Sequence, residues 1–413
     1  MRNSAKLCGY IYKEIKVEEM KSLIKEAIKN YNLFADIKNN IEKDYPPSIN
    51  KIQALKNLHP NFPIAELITL INLQKRAINK LLYPNEWFLT DKSLQQTSHY
   101  QLAKFHANLF SNYNIIADLC CGIGSDLLYL SENKQKCYAI DSDDLTLQMC
   151  EYNMNQFQRK NIIYQNIKAE SFKEDAEAIF IDPDRRNPIL SLRGTKQSNP
   201  YKRLIDLNDI SPNYKSLCKI IEKYSNVAVK LSPLLDYEKK IYKDYSFDFV
   251  SYEGELKECL LKTGELKSKK RAVLLSSNIT FEEKDYPQTA ISEVQDWLLE
   301  PDPAITRAHL VNDLAYTLKM NRIDHNISLL TSFTEPQNIY GKVYKVKEVF
   351  NYNLKTLKNY LKSNNIGIID IKTKGFSETV ENFRKKLTLK GNVKALIFII
   401  RIENKHICIT THP

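Results

Sequence analysis

The N-terminal quarter of the chain has apolar residues at helical spacing. Between about residues 17 and 110, apolar positions recur three or four residues apart, as in Ile52, Leu55 and Leu58, and glycine is almost absent. Apolar positions at this spacing form one face of an amphipathic helix. The pattern predicts a helical N-terminal region over residues 1–110.

From Ile115 the pattern changes to short apolar runs that alternate with helical segments. The runs are IIADLCC, KCYAID, IIYQNI, AEAIFIDPD and NVAVKLSP, followed by FDFVSYEG and RAVLLSS. This alternation is typical of a doubly wound α/β sheet. It predicts a Rossmann-like α/β domain over residues 111–278.

The last part of the chain restarts with a different pattern. After a connector over residues 279–335, residues 336–413 contain a strand (KVYKVKEVF), a helix (LKTLKNYLK), a strand (IGIIDIK), a helix (SETVENFRKKL) and two paired strands (KALIFIIRI and HICITTH). This order predicts a small α+β domain.

The positive charge of the chain is concentrated in that last domain. Residues 336–413 hold 15 lysine or arginine residues and 5 acidic ones, so they carry +10 of the net charge of +11. A basic module on a nearly neutral body favours a polyanionic partner, because neutralisation of phosphates by basic side chains drives nucleic-acid binding. A lysine-rich surface that is simply solvated remains the alternative on charge alone.

Two further features limit the class of protein. The N-terminus has no apolar signal-like run, and the most apolar later run, residues 395–400, is too short to span a bilayer. The eight cysteines show no CxxC pair and no zinc-ligand spacing. We therefore expect a cytoplasmic protein with reduced thiols, no metal and no membrane partner.

Three acids follow predicted strands at positions where doubly wound sheets bind ligands. Asp118 precedes a turn with two glycines, Asp141 ends the next strand, and Asp182 ends the fourth. Two glycines at a strand-to-helix junction are common, and a lone strand-end Asp often caps a helix. A nicotinamide dehydrogenase would need a third glycine for the pyrophosphate, where this chain has Asp126. The motif therefore disfavours a dehydrogenase.

Taken in order, the motifs DLCCGIGSD, YAID and DPDRR resemble those of the THUMP-like-domain methyltransferases, predicted RNA modifiers related to trimethylguanosine synthase. Similar segments recur in LTDKSLQQTSHYQLAKFHANLF, VKLSPLLD, YEGELKECLL and EPDPAITRA. The resemblance covers the chain from about Phe88 to the end. It implies a class I methyltransferase that uses S-adenosylmethionine and acts on tRNA or rRNA.

The resemblance also implies where the cofactor lies. The first acid would order the amino-acid part of S-adenosylmethionine above the glycine turn, the second would accept hydrogen bonds from the ribose, and the residues after the third strand would contact the adenine. The expected cofactor-binding residues are Asp118, Cys120, Gly122, Gly124, Asp126, Asp141, Lys168 and Ala169.

In related amino-group methyltransferases, an acid and the carbonyl of the following proline accept the N–H bonds of the target amine. Asp182 and Pro183 match these positions, and Asp184 replaces a second proline. Arg185 replaces the aromatic residue that stacks on the base. Together with Arg186 it would stack on a base or bind phosphate, unless the pair is merely solvated.

Further basic residues complete the expected substrate contacts. Lys230 ends the fifth predicted strand at the same edge and could meet phosphate, although such lysines often extend into solvent. Arg384, Lys385 and Lys386 form a cluster in the last domain, which resembles a divergent THUMP domain and would hold RNA through its shape and backbone.

Three hypotheses follow. The leading one is an RNA methyltransferase that modifies an exocyclic amine. The second is a protein methyltransferase acting on a glutamine or an N-terminal amine, a group that also uses an acid-proline motif. The third is a catalytically silent RNA-binding protein, because DPDRR lacks the aromatic residue.

Overall fold

The computed structural model describes residues 17–184, 210–238, 243–403 and 405–412. The chain forms two compact units. The first unit comprises Met1–Tyr245 with Leu261–Lys267, and the second comprises Ser246–Leu260 with Ser268–Pro413. Each unit has its own hydrophobic core, and each is described separately.

In the described part of the first unit, six α-helices precede the first strand. Their bounds are α1 (Val17–Lys29), α2 (Tyr31–Lys43), α3 (Ile49–Leu58), α4 (Ile64–Arg76), α5 (Asp91–Gln96) and α6 (Tyr100–Leu109). The apolar positions of α4 are buried, including Leu67, Leu70 and Ile71. The predicted helical N-terminal region is therefore confirmed over residues 17–110, and residues 1–16 lie outside the described residues.

Five parallel strands form the sheet of the first unit. They are β1 (Ile115–Leu119), β2 (Lys136–Ile140), β3 (Ile162–Gln165), β4 (Ala178–Ile181) and β5 (Val227–Leu231), in the order β3-β2-β1-β4-β5. The helices α7 (Leu127–Leu130), α8 (Asp144–Gln156) and α9 (Tyr214–Lys223) lie between strands in the chain. Because the strands are parallel, their carboxyl ends meet at one edge.

The second unit contains the last strands of the α/β region. They are β6 (Ser246–Tyr252), β7 (Glu255–Lys262, whose last two residues belong to the first unit), β8 (Arg271–Leu274) and β9 (Ile279–Glu282), in the order β7-β6-β8-β9. Glu253 and Gly254 join β6 to β7, and both have a positive φ, of 54° and 72°, as in tight hairpin turns. Strand β8 is parallel to β6 and antiparallel to β9.

A seven-stranded sheet forms the rest of the second unit. Its order is β11-β12-β10-β13-β16-β15-β14. The strands are β10 (Trp297–Pro301), β11 (Asn321–Arg322), β12 (Leu330–Ser332), β13 (Gly341–Asn351), β14 (Ile366–Lys374), β15 (Val393–Ile402) and β16 (Lys405–Thr411). The helices are α10 (Pro303–Arg307), α11 (Val311–Leu318), α12 (Leu354–Ser363) and α13 (Val380–Lys385).

Apolar residues cover both faces of this sheet. On one face, Leu357 of α12 and Phe383 of α13 pack against Ile397. On the other face, Phe398 and Ile400 pack against residues that precede β13 in the chain, including Leu298. The predicted order of strands and helices after residue 336 is therefore confirmed, and β10, which lies in the predicted connector, pairs with β13.

Candidate active site

A cavity of about 390 Å³ lies in the first unit at the carboxyl ends of β1, β2 and β4. Most of the predicted site residues line it. They are Asp118, Cys120, Gly122, Asp126, Asp141, Lys168, Ala169, Asp182, Pro183 and Asp184. The structure therefore brings together three acids that lie at the ends of different strands.

The turn after β1 is held against the end of β2. The backbone N–H groups of Cys120 and Cys121 both donate to the carbonyl of Ile140, at 2.8 and 2.9 Å. Gly122 has a φ of 57°, and no atom lies within 4 Å of the position that a Cβ would occupy there. Because Gly122 also lines the cavity, the space beside the turn is open to a ligand.

Gly124 is needed for a different reason from the one the sequence suggested. Its φ is 90°, and a Cβ would come within 2.9 Å of Met154 Cε and 3.0 Å of Cys150 Sγ, both on α8. This glycine allows helix packing against the turn, and it is not among the residues that line the cavity.

Asp118 is a buried carboxylate with no hydrogen-bond partner in the part of the chain that the structure describes. The residue is 1% exposed, and neither side-chain oxygen has a partner. Burial, with Asp126 and Asp182 nearby, raises the pKa of Asp118 well above its usual value. An unpaired buried carboxylate is costly, so a ligand with N–H or O–H donors would fit here.

A second buried polar atom without a partner in the described part of the chain follows helix α5, whose residues line the cavity. Helix α5 starts with a capping box, in which Thr90 Oγ1 accepts from the N–H of Ser93 at 3.0 Å and Ser93 Oγ accepts from that of Thr90 at 2.8 Å. The helix ends at Gln96, and the following Thr97 has a buried hydroxyl without a partner among the described residues. These unpaired atoms suit the polar amino-acid part of a cofactor such as S-adenosylmethionine.

Asp141 accepts hydrogen bonds from the backbone of two residues that line the cavity. Its Oδ2 accepts from the N–H of Gly122 at 3.0 Å, and its Oδ1 accepts from that of Asp143 at 2.9 Å. Burial raises the pKa of Asp141, against the opposing effect of these two hydrogen bonds. The carboxylate thus fixes the glycine turn and still lines the cavity, where hydroxyl groups of a nucleoside could bind.

Asp126, which the motif predicted to bind the cofactor, is hydrogen-bonded to side chains of the protein. Its Oδ1 lies 2.6 Å from His106 Nδ1, and its Oδ2 accepts from Ser98 Oγ at 2.7 Å. Burial alone would raise the pKa of Asp126, but His106, Lys230 and Ser98 outweigh it and lower the pKa to about 2. Both oxygens are therefore occupied by protein groups, which leaves this carboxylate less suited to a ligand than Asp118.

The residues after β3 border the cavity on another side. Lys168 is exposed, Ala169 is buried, and a single 3-10 turn, Ala169–Ser171, begins here. The carbonyl of Lys168 accepts from the N–H of Ser171 at 2.9 Å. Both residues thus stand at the edge where the adenine was expected.

Strand β4 places the acid-proline motif at the cavity. Asp182 Oδ2 accepts from Lys230 Nζ at 2.7 Å, and Pro183 is buried. Asp184 exchanges two backbone hydrogen bonds with Ser211, at 2.8 and 3.0 Å, and its Oδ1 accepts from Gln96 Nε2 at 3.2 Å. Arg185 and Arg186, the next residues of the motif, lie outside the described residues.

Lys230 is placed differently from the prediction. It is 6% exposed and is not among the residues that line the cavity. Its Nζ donates to Asp182 Oδ2 and, at 2.8 Å, to Ser98 Oγ. A lysine that is buried in this way is not available to substrate phosphate, because its ammonium group is engaged inside the protein.

The predicted basic cluster of the last domain is exposed but partly paired. Arg384 donates to the carbonyl of Ile369 at 2.8 Å, and Lys386 Nζ lies 2.6 Å from Glu378 Oε1. Lys385 Nζ is 3.8 Å from Glu381 Oε1 and is largely exposed. The cluster thus presents less free charge than its sequence implies.

Sequence reasoning missed Ser98 and His106 as parts of the site. Ser98 lies two residues before α6, and His106 lies on that helix. Both are buried, and their partners Asp126 and Lys230 are far away in sequence. The available signal was the polar residues of TSHYQLAKFH within an amphipathic helical pattern.

None of the described helices is both long and apolar enough to cross a bilayer. Within the same residues, no group of three or more His, Cys, Asp or Glu side chains is placed to hold a metal ion.

The chain is similar to known proteins in sequence and in fold. Residues 341–413 match the family model described as THUMP domain-like. The chain is 25% identical over 349 residues to an uncharacterized S-adenosylmethionine-dependent methyltransferase of Mycobacterium tuberculosis, found in strains CDC 1551 and H37Rv; the match covers 81% of this chain and 92% of the relative.

Two other similarities differ in extent. A tRNA (guanine(37)-N(1))-methyltransferase of Plasmodium knowlesi is 30% identical over 154 residues, which is 36% of this chain and 21% of that protein. The crystal structure of a predicted methyltransferase from Porphyromonas gingivalis W83 superposes with a TM-score of 0.73 at 18% identity, covering 92% of this chain and 98% of the other. This last similarity concerns the fold.

The strand order, the cavity at the carboxyl edge and these relatives define a class I S-adenosylmethionine-dependent methyltransferase. Its C-terminal region makes it a methyltransferase with a THUMP-like domain, as the motifs predicted. The predicted fold class, a Rossmann-like sheet with a helical N-terminal region and a small α+β C-terminal domain, is confirmed as well.

Proposed function

We propose that this methyltransferase modifies an amine nitrogen of a base in tRNA or rRNA, and that it does so in the cytoplasm. S-adenosylmethionine supplies the methyl group on a charged sulfonium, which needs an aligned acceptor more than further activation. The observation that carries the proposal is that Asp118, Asp141 and Asp182 line one cavity. The first two acids would hold the cofactor, and the third would hold the amine.

Asp182 has one oxygen available for this task. Its Oδ2 is bonded to Lys230, whereas its Oδ1 has no hydrogen-bond partner in the described part of the chain. An amine that donates one hydrogen to Oδ1 and another to the carbonyl of Pro183 would have its lone pair oriented by both contacts. Such alignment is a large part of catalysis when the reacting partner is already reactive.

RNA as the substrate is supported by two features outside the cavity. The last domain carries most of the net positive charge, and it matches a THUMP domain-like model. The Plasmodium relative is named as a tRNA methyltransferase. Basic, exposed surfaces suit the backbone of structured RNA, which proteins read largely by shape.

The test is transfer of tritiated methyl groups from S-adenosylmethionine to total RNA taken from a strain that lacks the gene. We expect label in RNA and a loss of roughly 100-fold or more in the rate for Asp182→Asn, as for other positioned hydrogen-bonding groups. Calorimetry should give the same cofactor affinity for the variant and the wild type. Mass spectrometry of nucleosides from that strain then identifies the base.

Other outcomes would support the competing functions. Label in ribosomal protein from the same strain, without label in RNA, would indicate a protein methyltransferase. No heat of binding with S-adenosylmethionine would indicate a silent RNA-binding protein and would refute the assignment of Asp118 and Asp141 to the cofactor.

A further inference from the structure

Lys230 is a buried lysine whose ammonium group bonds to two side chains from different parts of the first unit. Its side chain is 7% exposed, and Nζ donates to Asp182 Oδ2 at 2.7 Å and to Ser98 Oγ at 2.8 Å. A charge removed from water is costly unless it is paired and hydrogen-bonded. The ion pair with Asp182 is therefore a condition for burying this lysine.

The network continues beyond Lys230. Ser98 Oγ donates to Asp126 Oδ2 at 2.7 Å, and Asp126 Oδ1 lies 2.6 Å from His106 Nδ1. The ring of His106 packs on Phe180 of β4 with 4.9 Å between centroids. These contacts fix the hydroxyl of Ser98 that accepts from Lys230, so the position of the lysine depends on α6 and the turn after β1 as well as on its own strand.

We propose that Lys230 is a positioning residue for methyl transfer, which holds Oδ2 of Asp182 in an ion pair and leaves Oδ1 to receive the amine. The inference rests on the proposed function of Asp182. A protonated carboxyl group would present an O–H donor to the N–H groups of the substrate, where an acceptor is needed. A rotated carboxylate would present a lone pair that points in the wrong direction. The lysine would act through Asp182 and would not touch the substrate.

The electrostatic surroundings explain why a cation is needed at this place. Lys230 interacts favourably with both Asp126 and Asp182, which lie among several acids on neighbouring elements. Like charges that share a site favour protonation of one of them. The other titratable groups that line the cavity with Asp182 are Lys92, Asp118, Cys120, Cys121, Asp126, Asp141, Asp143, Lys168, Glu170 and Asp184. Lys230 on β5 and His106 on α6 complete the network behind them.

The first experiment measures methyl transfer to RNA against pH for the full chain and three variants. For Lys230→Met we expect kcat to fall roughly 10- to 100-fold, as for loss of a charged hydrogen bond, with little change in KM for S-adenosylmethionine. The acid limb of the profile should move about one pH unit upward, because a neighbouring cation has been removed. Lys230→Arg, which retains the charge, should keep the limb near its wild-type position.

Lys134→Met is the matched control. Lys134 Nζ also donates to protein oxygens, the carbonyls of Phe110 and Tyr113, but it lies at the opposite end of the sheet strands. Its removal should leave the pH profile unchanged. A Lys230→Met profile that coincides with that of Lys134→Met would overturn the proposal.

A second measurement does not depend on the substrate. Melting temperatures of Asp182→Asn, Lys230→Met and the double variant should be non-additive, with the double variant losing less than the sum of the single losses, because each single change leaves one unpaired charge. Additive losses would refute the ion pair and with it the inference. Absence of methyl transfer by the wild type would refute the proposed function, while the melting temperatures would still decide the pairing.

Discussion

The cavity of the first unit and the surface of the THUMP-like domain carry their charges in opposite ways. In the cavity, acids such as Asp118 and Asp126 are buried and interact with one another and with a buried lysine. In the last domain, lysines such as Lys362 and Lys385 are exposed. Buried charges interact strongly, whereas exposed ones are screened by salt. A single change should therefore matter greatly in the cavity and little on the surface.

The largest effect on cofactor binding is expected for Asp118→Asn. Loss of the charged acceptor should weaken S-adenosylmethionine binding about 10- to 100-fold, measured by calorimetry. The pKa of Asp118 is raised in the folded protein, so the folded state resists the loss of its proton. The free energy of unfolding therefore falls as the pH rises, and Asn, which does not ionise, removes this loss. Without cofactor, the variant should melt at a higher temperature than the wild type at alkaline pH, and the gain should shrink towards acid pH.

Asp144→Asn is a control for this prediction, because Asp144 is exposed in the first turn of α8. It should leave the affinity for the cofactor unchanged. Unchanged cofactor affinity in Asp118→Asn would remove the carboxylate from the binding site, and the comparison between the two regions would lose its strongest case.

A smaller effect is expected for Asp126→Asn. Because His106, Lys230 and Ser98 lower the pKa of Asp126 to about 2, the ionised carboxylate stabilises the fold above the usual carboxyl pKa, by about 2 kcal/mol. That contribution is lost as the pH falls from about 4 to about 2. Denaturant unfolding should show the full difference between variant and wild type at neutral pH and a smaller one near pH 3. An equal difference at both would contradict the prediction.

The smallest effects are expected on the basic surface. Replacing Arg384, Lys385 and Lys386 by Glu should weaken RNA binding several-fold and flatten its dependence on salt, while cofactor binding stays intact. The double variant Glu378→Gln with Glu381→Gln should strengthen RNA binding and make its dependence on salt steeper, because these acids pair with Lys386 and Lys385. Filter binding over a range of salt concentrations measures both. Unchanged RNA binding in the first variant would exclude this cluster from the RNA site.

Much of the architecture could be predicted because it depends on local patterns. Apolar runs of strand length and their order indicated the parallel sheet, and parallel strands bring Asp118, Asp141 and Asp182 to one edge whatever the detailed packing. The THUMP-like domain was readable in the same way. In both domains the apolar side chains must be buried, and this requirement sets both the sequence pattern and the helices and strands that form.

The environment of single polar residues could not be predicted, because it depends on contacts between distant parts of the chain. Ser98 and Lys230 are 132 positions apart and yet hydrogen-bonded. The strand position of Lys230 indicated the correct edge, but not that Asp182 and Ser98 occupy its ammonium group. Likewise, Gly124 stood out as a ligand-binding glycine, whereas the close approach of Met154 explains it.

The pairing of β10 with β13 has a consequence for any fragment of this protein. Five residue pairs join the two strands, from Trp297 with Lys345 to Pro301 with Gly341, and Leu298 and Ile323 cover one face of the sheet. A peptide cut at the start of the family match, residue 341, would have an open strand edge and a bare apolar face, which are the usual causes of aggregation. The folding unit of the THUMP-like domain therefore begins well before its recognisable sequence.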